Sequence, residues 1–400
     1  MINLEAPKKA GALINQAYQA AAEVFRPISR KYDRAEHTYP AELDMFAALL
    51  DGLNSSGEGG AGAAGVRRSK DEKEKGNRNG ANLNVVLGTI EMCWGDVGLL
   101  LSMPRQGLGN AAIGSVATDE QLKRFSGLWA AMAITEPGFG SDSAAVTTTA
   151  RLDGDDYIIN GEKIFVTSGE RADAVVVWAT LDKTKGRAAI KSFVVEKGTP
   201  GFEVVRVEHK LGIRASDTAV LRFENCRVPA ENLLGTAEID TAKGFAGVMQ
   251  TFDNTRPLVA AMAIGVARAA LEETRRILTE AGVVIDYDRP AHTQHAAAAE
   301  FLRLEADYES AYLLTLESAW MADNRKPNSL QASMAKAKAG RSVVDIALKC
   351  VELTGAYGEE SLLEKWARDA KILDIFEGTQ QIQQLIVARR VLGKTSAQLK

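Results

Sequence analysis

Arg368 to Gly393 reads RDAKILDIFEGTQQIQQLIVARRVLG, and two helical patterns meet inside it at Glu377-Gly378-Thr379. Upstream, Leu362, Trp366, Ala370 and Leu373 recur at the spacing of one buried helix face. Downstream, Ile382, Leu385 and Ile386 resume that period, and Gly393 is a natural stop. Gly378 tolerates any φ, and the Thr379 hydroxyl can cap the second helix. A carboxylate therefore stands at a helix break, just before a helix N-terminus with unsatisfied N–H groups. On these residues alone, a solvated acidic side chain at a capped junction is the simpler reading.

Outward from this stretch, the patterns of the chain change twice. From about residue 10 to 130 they are helical: Ala10 to Lys31 is alanine-rich, and Leu83 to Leu101 is long and mostly apolar. Between them, residues 54–82 are rich in glycine and charge and predict a mobile surface loop. From about Ala131 to Leu234 the period is two. Residues 147–152 open with three β-branched threonines, DGDD is a turn, and Tyr157 to Ile159 precede Asn160-Gly161, a hairpin dipeptide. Ala174 to Ala179, Ala189 to Val195, Phe202 to Val207 and Ala219 to Phe223 continue a series of short strands, predicting a β barrel or sandwich. From Lys243 the chain is helical again, with Leu258 to Glu280, His295 to Asn324 and Ser329 to Thr354 suited to an antiparallel bundle. The expected division is 1–130 all-α, 131–238 β and 239–400 helical bundle, an α+β multidomain protein.

Bulk properties exclude several classes. At 400 residues, 46% hydrophobic and 25% charged, the chain has an ordinary globular composition. A net charge of -4 gives no reason to expect nucleic acid. Cys93, Cys226 and Cys350 are far apart, and the four histidines form no recognisable zinc pattern, so no metal is expected. No apolar run is expected to reach membrane-spanning length, and MINLEAPKKAG is neither signal nor transit peptide; a cytoplasmic protein is expected.

Four segments in order, TEPGFGSD from Thr135, INGEKIFVTSG from Ile159, FDNTRP from Phe252 and the EGT junction, resemble the acyl-CoA dehydrogenase family. The first 85 residues and residues 280 to 300 match poorly. The resemblance implies FAD as cofactor and α,β-dehydrogenation of an acyl-CoA thioester to the trans-2-enoyl-CoA, in fatty-acid or steroid side-chain breakdown. It implies Glu377 as the base for the α-proton, with its own N–H and a flavin hydroxyl holding the thioester oxygen. Removing a weakly acidic proton needs such a base in an apolar site, and Phe376 could help to dry it. By the same resemblance Met132, Thr135, Ser141, Phe165, Thr167, Thr379 and Gln381 contact flavin. Phe165 stands where the family usually has Trp; it can still stack but lacks the indole donor. Ser141, Asp253, Arg256 and Gly378 fall at ligand positions, with Phe245, Val248, Met249 and Phe252 bordering the acyl site. Read without the family, Glu136 to Gly140 is a loop, Asp253 and Arg256 are an i,i+3 helix pair, and the apolar residues are core.

The sequence departs from the family where its subunits reach into a neighbour's FAD site. Ala281-Gly282 occupies the place of an Arg, and no Phe-Gly follows it. Val351-Glu352-Leu353-Thr354-Gly355 aligns with a Gln-x-x-Gly-Gly segment and lacks the Gln and the first Gly. The expectation is a heteromer, α2β2, with a related partner chain; Arg289 substituting for the missing Arg in a homomer is the alternative. An electron-transfer flavoprotein is the expected acceptor. An oxygen-using oxidase and a non-catalytic stabilising subunit are the competing readings.

Overall fold

The computed structural model describes residues 4, 10–55, 80–105, 107–239, 246–355, 361–395 and 398, with backbone only at 49–55 and 246–254. The N-terminal part holds α1 (Ala10–Ala20), a π turn (Ala21–Phe25), α2 (Arg26–Arg34), α3 (Glu42–Ser55), α4 (Ala81–Leu101), α5 (Leu108–Val116) and α6 (Asp119–Arg124). The loop expected at 54–82 lies mainly outside the described residues. α4 is long and apolar enough to cross a membrane, which corrects the expectation that no run reaches that length, yet 78% of its apolar window is buried inside the protein. Its apolar residues instead join one core with α7 (Ala246–Glu280), α8 (Ala296–Asp323), α9 (Ser329–Thr354) and α10 (Leu363–Leu373). α11 (Gln380–Leu392) closes the chain's regular structure.

Between the helical parts, β1 (Ala130–Ala133), β2 (Thr149–Asp153), β3 (Asp156–Thr167), β4 (Ala174–Thr180), β5 (Ile190–Glu196), β6 (Phe202–Val207) and β7 (Thr218–Pro229) form one sheet. Its order is β1-β4-β2-β3-β7-β6, with β5 on β4. β1 runs parallel to β4, whereas β2–β3, β3–β7, β4–β5 and β6–β7 are antiparallel. The hairpin expected at Asn160-Gly161 is wrong. The reversal is at Asp153–Asp156, and β3 runs straight through Gly161, which sits at a register shift against β7. Gly161 is needed there for another reason: at φ 154° any Cβ would lie 2.4 Å from the Thr148 hydroxyl. The glycine that sequence statistics assign to a turn is a bulge residue pressed against β2's lead-in.

Charges buried between the three parts set the position of α10. Lys365 Nζ donates to Asp96 Oδ2 at 2.7 Å and Asp369 Oδ2 at 2.5 Å, and all three side chains are essentially inaccessible. Asp96 breaks α4 (φ −168°, ψ 120°) and its other oxygen accepts Leu99 N at 2.8 Å, while Ser29 of α2 also donates to it. Asp369 accepts Ile213 N, from the loop before β7, at 2.6 Å. One turn away, Arg368 pairs with Asp33 and donates to Leu211 O. Burial alone would lower the Lys365 ammonium; Asp369 and Asp96 overcome it and hold it raised. Replacing Lys365 by Met leaves two dry carboxylates facing each other. Lys365→Met is expected to lose roughly 3–5 kcal/mol in urea unfolding. A loss below about 1 kcal/mol would place the cluster with ordinary surface pairs.

Candidate active site

α10 delivers the chain to the junction, and Thr379 starts α11 by accepting Ile382 N on its hydroxyl at 3.3 Å. Between them Glu377 has φ 58° and Gly378 φ 94°. The sequence assigned the special conformation to the glycine; the glutamate shares it. A non-glycine residue held there costs roughly 1–3 kcal/mol and persists only when its surroundings hold it. Gln383 Nε2 reaches back to Glu377 O and Gly378 O, each at 3.2 Å, and Lys336 Nζ donates to Gly378 O at 2.8 Å. Ile375 and Phe376 N–H both donate to Ile372 O, whereas Glu377 N–H has no acceptor among the described residues.

The carboxylate itself accepts from the Thr255 hydroxyl. Its residue surface is partly open, but the carboxyl group sits deep enough that burial dominates and pushes its pKa up; Thr255, Arg256 and Lys336 pull the other way. Arg256 is 3% exposed and reaches Ser333 Oγ at 3.5 Å. α9 forms the floor of this arrangement. Ser333, Lys336 and Ala337 (whose O accepts Gln380 Nε2 at 3.1 Å) lie one behind the other, and a Cβ on Gly340 would stand 2.7 Å from Leu373 O. Lys336 was missed by the sequence reading. The available signal was a lysine on the buried face shared by Ala332, Ala335, Ala339 and Val343.

The second group of expected residues lies on the sheet. Phe165 is 64% exposed at φ 56°, within the irregularity between Lys163 and Val166. Ile164 N donates to Thr135 O at 2.9 Å, so β3 sets Thr135 beside this ring. Thr167 pairs with Thr218 across the strands, Met132 lies partly buried in β1, and Ser141 is exposed. A large ring standing out of a sheet is unfavourable unless covered, and a planar ring flanked by threonine hydroxyls fits it. Thr255, Arg256, Gly378, Thr379 and Glu377 converge at the junction; Gln381 is exposed on α11. Phe245 lies outside the described residues, as do the side chains of Val248, Met249, Phe252 and Asp253.

Glu136 of TEPGFGSD is more than a loop residue. It is 2% exposed, takes Lys163 Nζ at 2.8 Å, and accepts from the N–H and hydroxyl groups of both Thr147 and Thr148. It fastens the loop carrying Ser141 to the strand carrying Phe165. Among the described residues, Glu36, His37 and His209 bring ligand-type atoms within 4.8 Å of one another. His37 and His209 are 172 residues apart, so their pairing was not legible in the sequence. Their hydrogen bonds tie the end of α2 to the segment after β6.

Helices on either side of one mixed sheet, a strained glutamate with burial-raised pKa and an open aromatic platform define a flavin oxidoreductase class. Comparison with known sequences and structures agrees. The acyl-CoA dehydrogenase middle domain matches residues 131–226 and its C-terminal domain residues 242–392. A short-chain specific acyl-CoA dehydrogenase of Clostridium acetobutylicum is 34% identical over 390 residues, covering 95% of this chain and 97% of that one. An NADH-dependent acryloyl-CoA reductase of Anaerotignum propionicum is 33% identical, covering 94% and 93%. Butyryl-CoA dehydrogenase from Megasphaera elsdenii superposes with a TM-score of 0.83 at 28% identity, covering 98% of this chain and all of that one. A structure described as the electron transferring flavoprotein of Acidaminococcus fermentans has a TM-score of 0.82 at 30% identity, covering 98% and 100%. The chain belongs to the acyl-CoA dehydrogenase family, FAD-dependent oxidoreductases acting on CH–CH donors.

The Glu136–Lys163 pair gives a pH test of this scaffold. Burial raises the Glu136 carboxyl, but Lys163 and the two threonines outweigh it and bring it from 4.5 down to about 2. A depressed carboxylate contributes stability that is full above the unfolded value and fades as pH falls from 4.5 to about 2. Glu136→Gln is expected to cost roughly 3–5 kcal/mol at pH 7, by stranding Lys163, and to flatten the stability profile in that acid window. Denaturant titrations at several pH values measure both.

Proposed function

We propose that this chain catalyses the α,β-dehydrogenation of an acyl-CoA thioester to the trans-2-enoyl-CoA, with Glu377 as the base. The observation that carries the reading is the raised pKa of a carboxylate fixed at a helix break, beside a backbone N–H without an acceptor among the described residues. Glu377 takes the α-proton on its carboxylate, and its N–H donates to the thioester oxygen as charge develops there. Thr255 aims the carboxylate, and Arg256 stabilises it from behind. FAD, when bound, would supply the acceptor for the β-hydride. Phe165 presents the stacking surface, Thr135 and Thr167 the neighbouring hydroxyls, and Met132, Thr379 and Gln381 complete the flavin contacts. Ser141, Asp253 and Gly378 line the ligand path, with Phe245, Met249 and Phe252 at the acyl end. The short-chain names of the relatives favour a short acyl group, and the neighbour described as an electron transferring flavoprotein favours such a flavoprotein as electron acceptor.

Glu377→Gln is expected to retain FAD and acyl-CoA binding but to reduce its flavin roughly 10²–10⁴-fold more slowly. Anaerobic stopped-flow bleaching measures this; reduction at the parental rate would move the base elsewhere.

The same reading includes assembly as an α2β2 heteromer with a related chain. α7 ends in Ala281 and a left-handed Gly282, and α9 ends with Glu352 paired to Lys349 before Gly355. Residues 281–282 and 351–355 bring no Arg or Gln, and Arg275 and Arg276 near the end of α7 are paired with Glu305, Glu273 and Glu280. Arg289, the alternative donor, gives its guanidinium to Thr293 O within its own loop. Of the face expected on α11, Ile382 and Ile386 are partly buried and Leu385 is exposed; Val391 and Leu392 at its end are exposed too. Each missing charge-assisted contact costs roughly 1.5–3 kcal/mol of FAD affinity. The chain purified alone is expected to hold FAD poorly, and co-expression with its partner to give one FAD per pair of chains. Full occupancy and turnover in a homo-oligomer would refute the heteromer.

A further inference from the structure

The buried amine behind Glu377 has no role in the chemistry described so far. Lys336 sits at 0% exposure on the face of α9 that packs under the helix break. Its ammonium is not spent on a simple ion pair. It donates to Gly378 O, the carbonyl immediately after the base, at 2.8 Å. The groups facing Glu377 are Thr255 and Arg256 from α7 and Lys336 from α9; Asp374, from the junction itself, faces Lys336. Arg256 is directed to Ser333, one turn before Lys336, so the two cations approach the carboxylate from different helices. The glutamate's unusual backbone conformation leaves its position dependent on what holds the carbonyls of residues 377 and 378. Those holds are Lys336 and Gln383.

We propose that Lys336 is a positioning residue for the dehydrogenation: its ammonium, fixed on Gly378 O, keeps the Glu377 carboxylate ionised and aimed, so that α9 sets the pH at which the base becomes active. This rests on Glu377 being the base. Two opposing influences then meet on one carboxylate. Burial favours the neutral acid, which cannot accept a proton; the nearby ammonium favours the anion. Such a balance suits a base, since it leaves the group ionised without making it too weak to take the α-proton. Burial also lowers Lys336 itself, to about 8, with Asp374 and Glu377 acting to retain its charge. The influence of Lys336 on the base is therefore present below about pH 8 and fades above it.

The test uses the FAD-loaded enzyme with whatever partner it requires. Glu377 ionisation is followed directly by the infrared band of its protonated carboxyl, identified by its absence from Glu377→Gln. The acid limb of anaerobic flavin reduction by acyl-CoA is followed in parallel. In Lys336→Met both the band's midpoint and the acid limb are expected to move to higher pH. Reduction on the acid side should slow about tenfold, the scale of one pKa unit, and converge on the parent above about pH 8. Lys336→Arg, which keeps the charge, should stay with the parent. Lys336→Gln, which keeps a donor for Gly378 O but no charge, should follow the Met variant and replaces it if that variant does not fold. An unmoved midpoint and limb in the Met or Gln variant, with only thermal stability or FAD content changed, would overturn the proposal. If Glu377→Gln reduces flavin as fast as the parent, it is the assignment of the base that fails.

Discussion

The Lys365 ammonium held between Asp96 and Asp369 is the contact on which the rest of the structure depends. Its three members lie on α4 and α10, and the backbone they recruit brings in α2 and the segment before β7. An unpaired charge in that position would be very costly, so the cluster permits one docking of the parts and penalises others. The proposed reaction site lies beyond it: α10 ends at Leu373, and Glu377 follows within one turn. A shift of α10 would move the glutamate relative to Thr255, Arg256 and Lys336, which are anchored on other helices.

Two buried carboxylates show how the same physics can reach opposite results. Glu136 is surrounded by one ammonium and four donors, so its anion is satisfied and its pKa falls to about 2. Glu377 has one hydroxyl donor and two cations that do not bond to it, so burial prevails and its pKa rises. The first arrangement suits a strut between a loop and a strand. The second suits a group that must take up a proton. Neither outcome follows from residue type; both follow from the count and geometry of donors.

The open surfaces of the chain carry information of the same kind. Phe165 stands clear of the sheet at a backbone angle that strands avoid, and Leu385, Val391 and Leu392 of α11 are exposed. Exposed apolar area of this kind marks ligand or subunit contact. Residues 281–282 and 351–355 carry no Arg and no Gln. That composition is the reason for proposing two kinds of chain.

Much was settled by local sequence. Helical spacing and caps located α7 to α11, because a helix satisfies its own backbone and marks its ends with residues such as Thr379 and Gly393. The order helix, sheet, helix and the junction at Glu377 were legible for the same reason. Other features required the tertiary structure. Asn160-Gly161 reads as a turn, but Thr148 of a neighbouring segment needs the glycine inside a strand. Ile382, Leu385 and Ile386 read as a buried face, yet Leu385 is exposed and Ile382 and Ile386 are only partly buried, because burial depends on what packs there. Lys336 reads as one charged residue among alanines, and its contact with Gly378 spans 42 positions. Glu377's conformation, its pKa and the role of Glu136 are likewise products of groups distant in the chain. Periodicity records what each segment must bury, whereas proximity alone decides which charges meet.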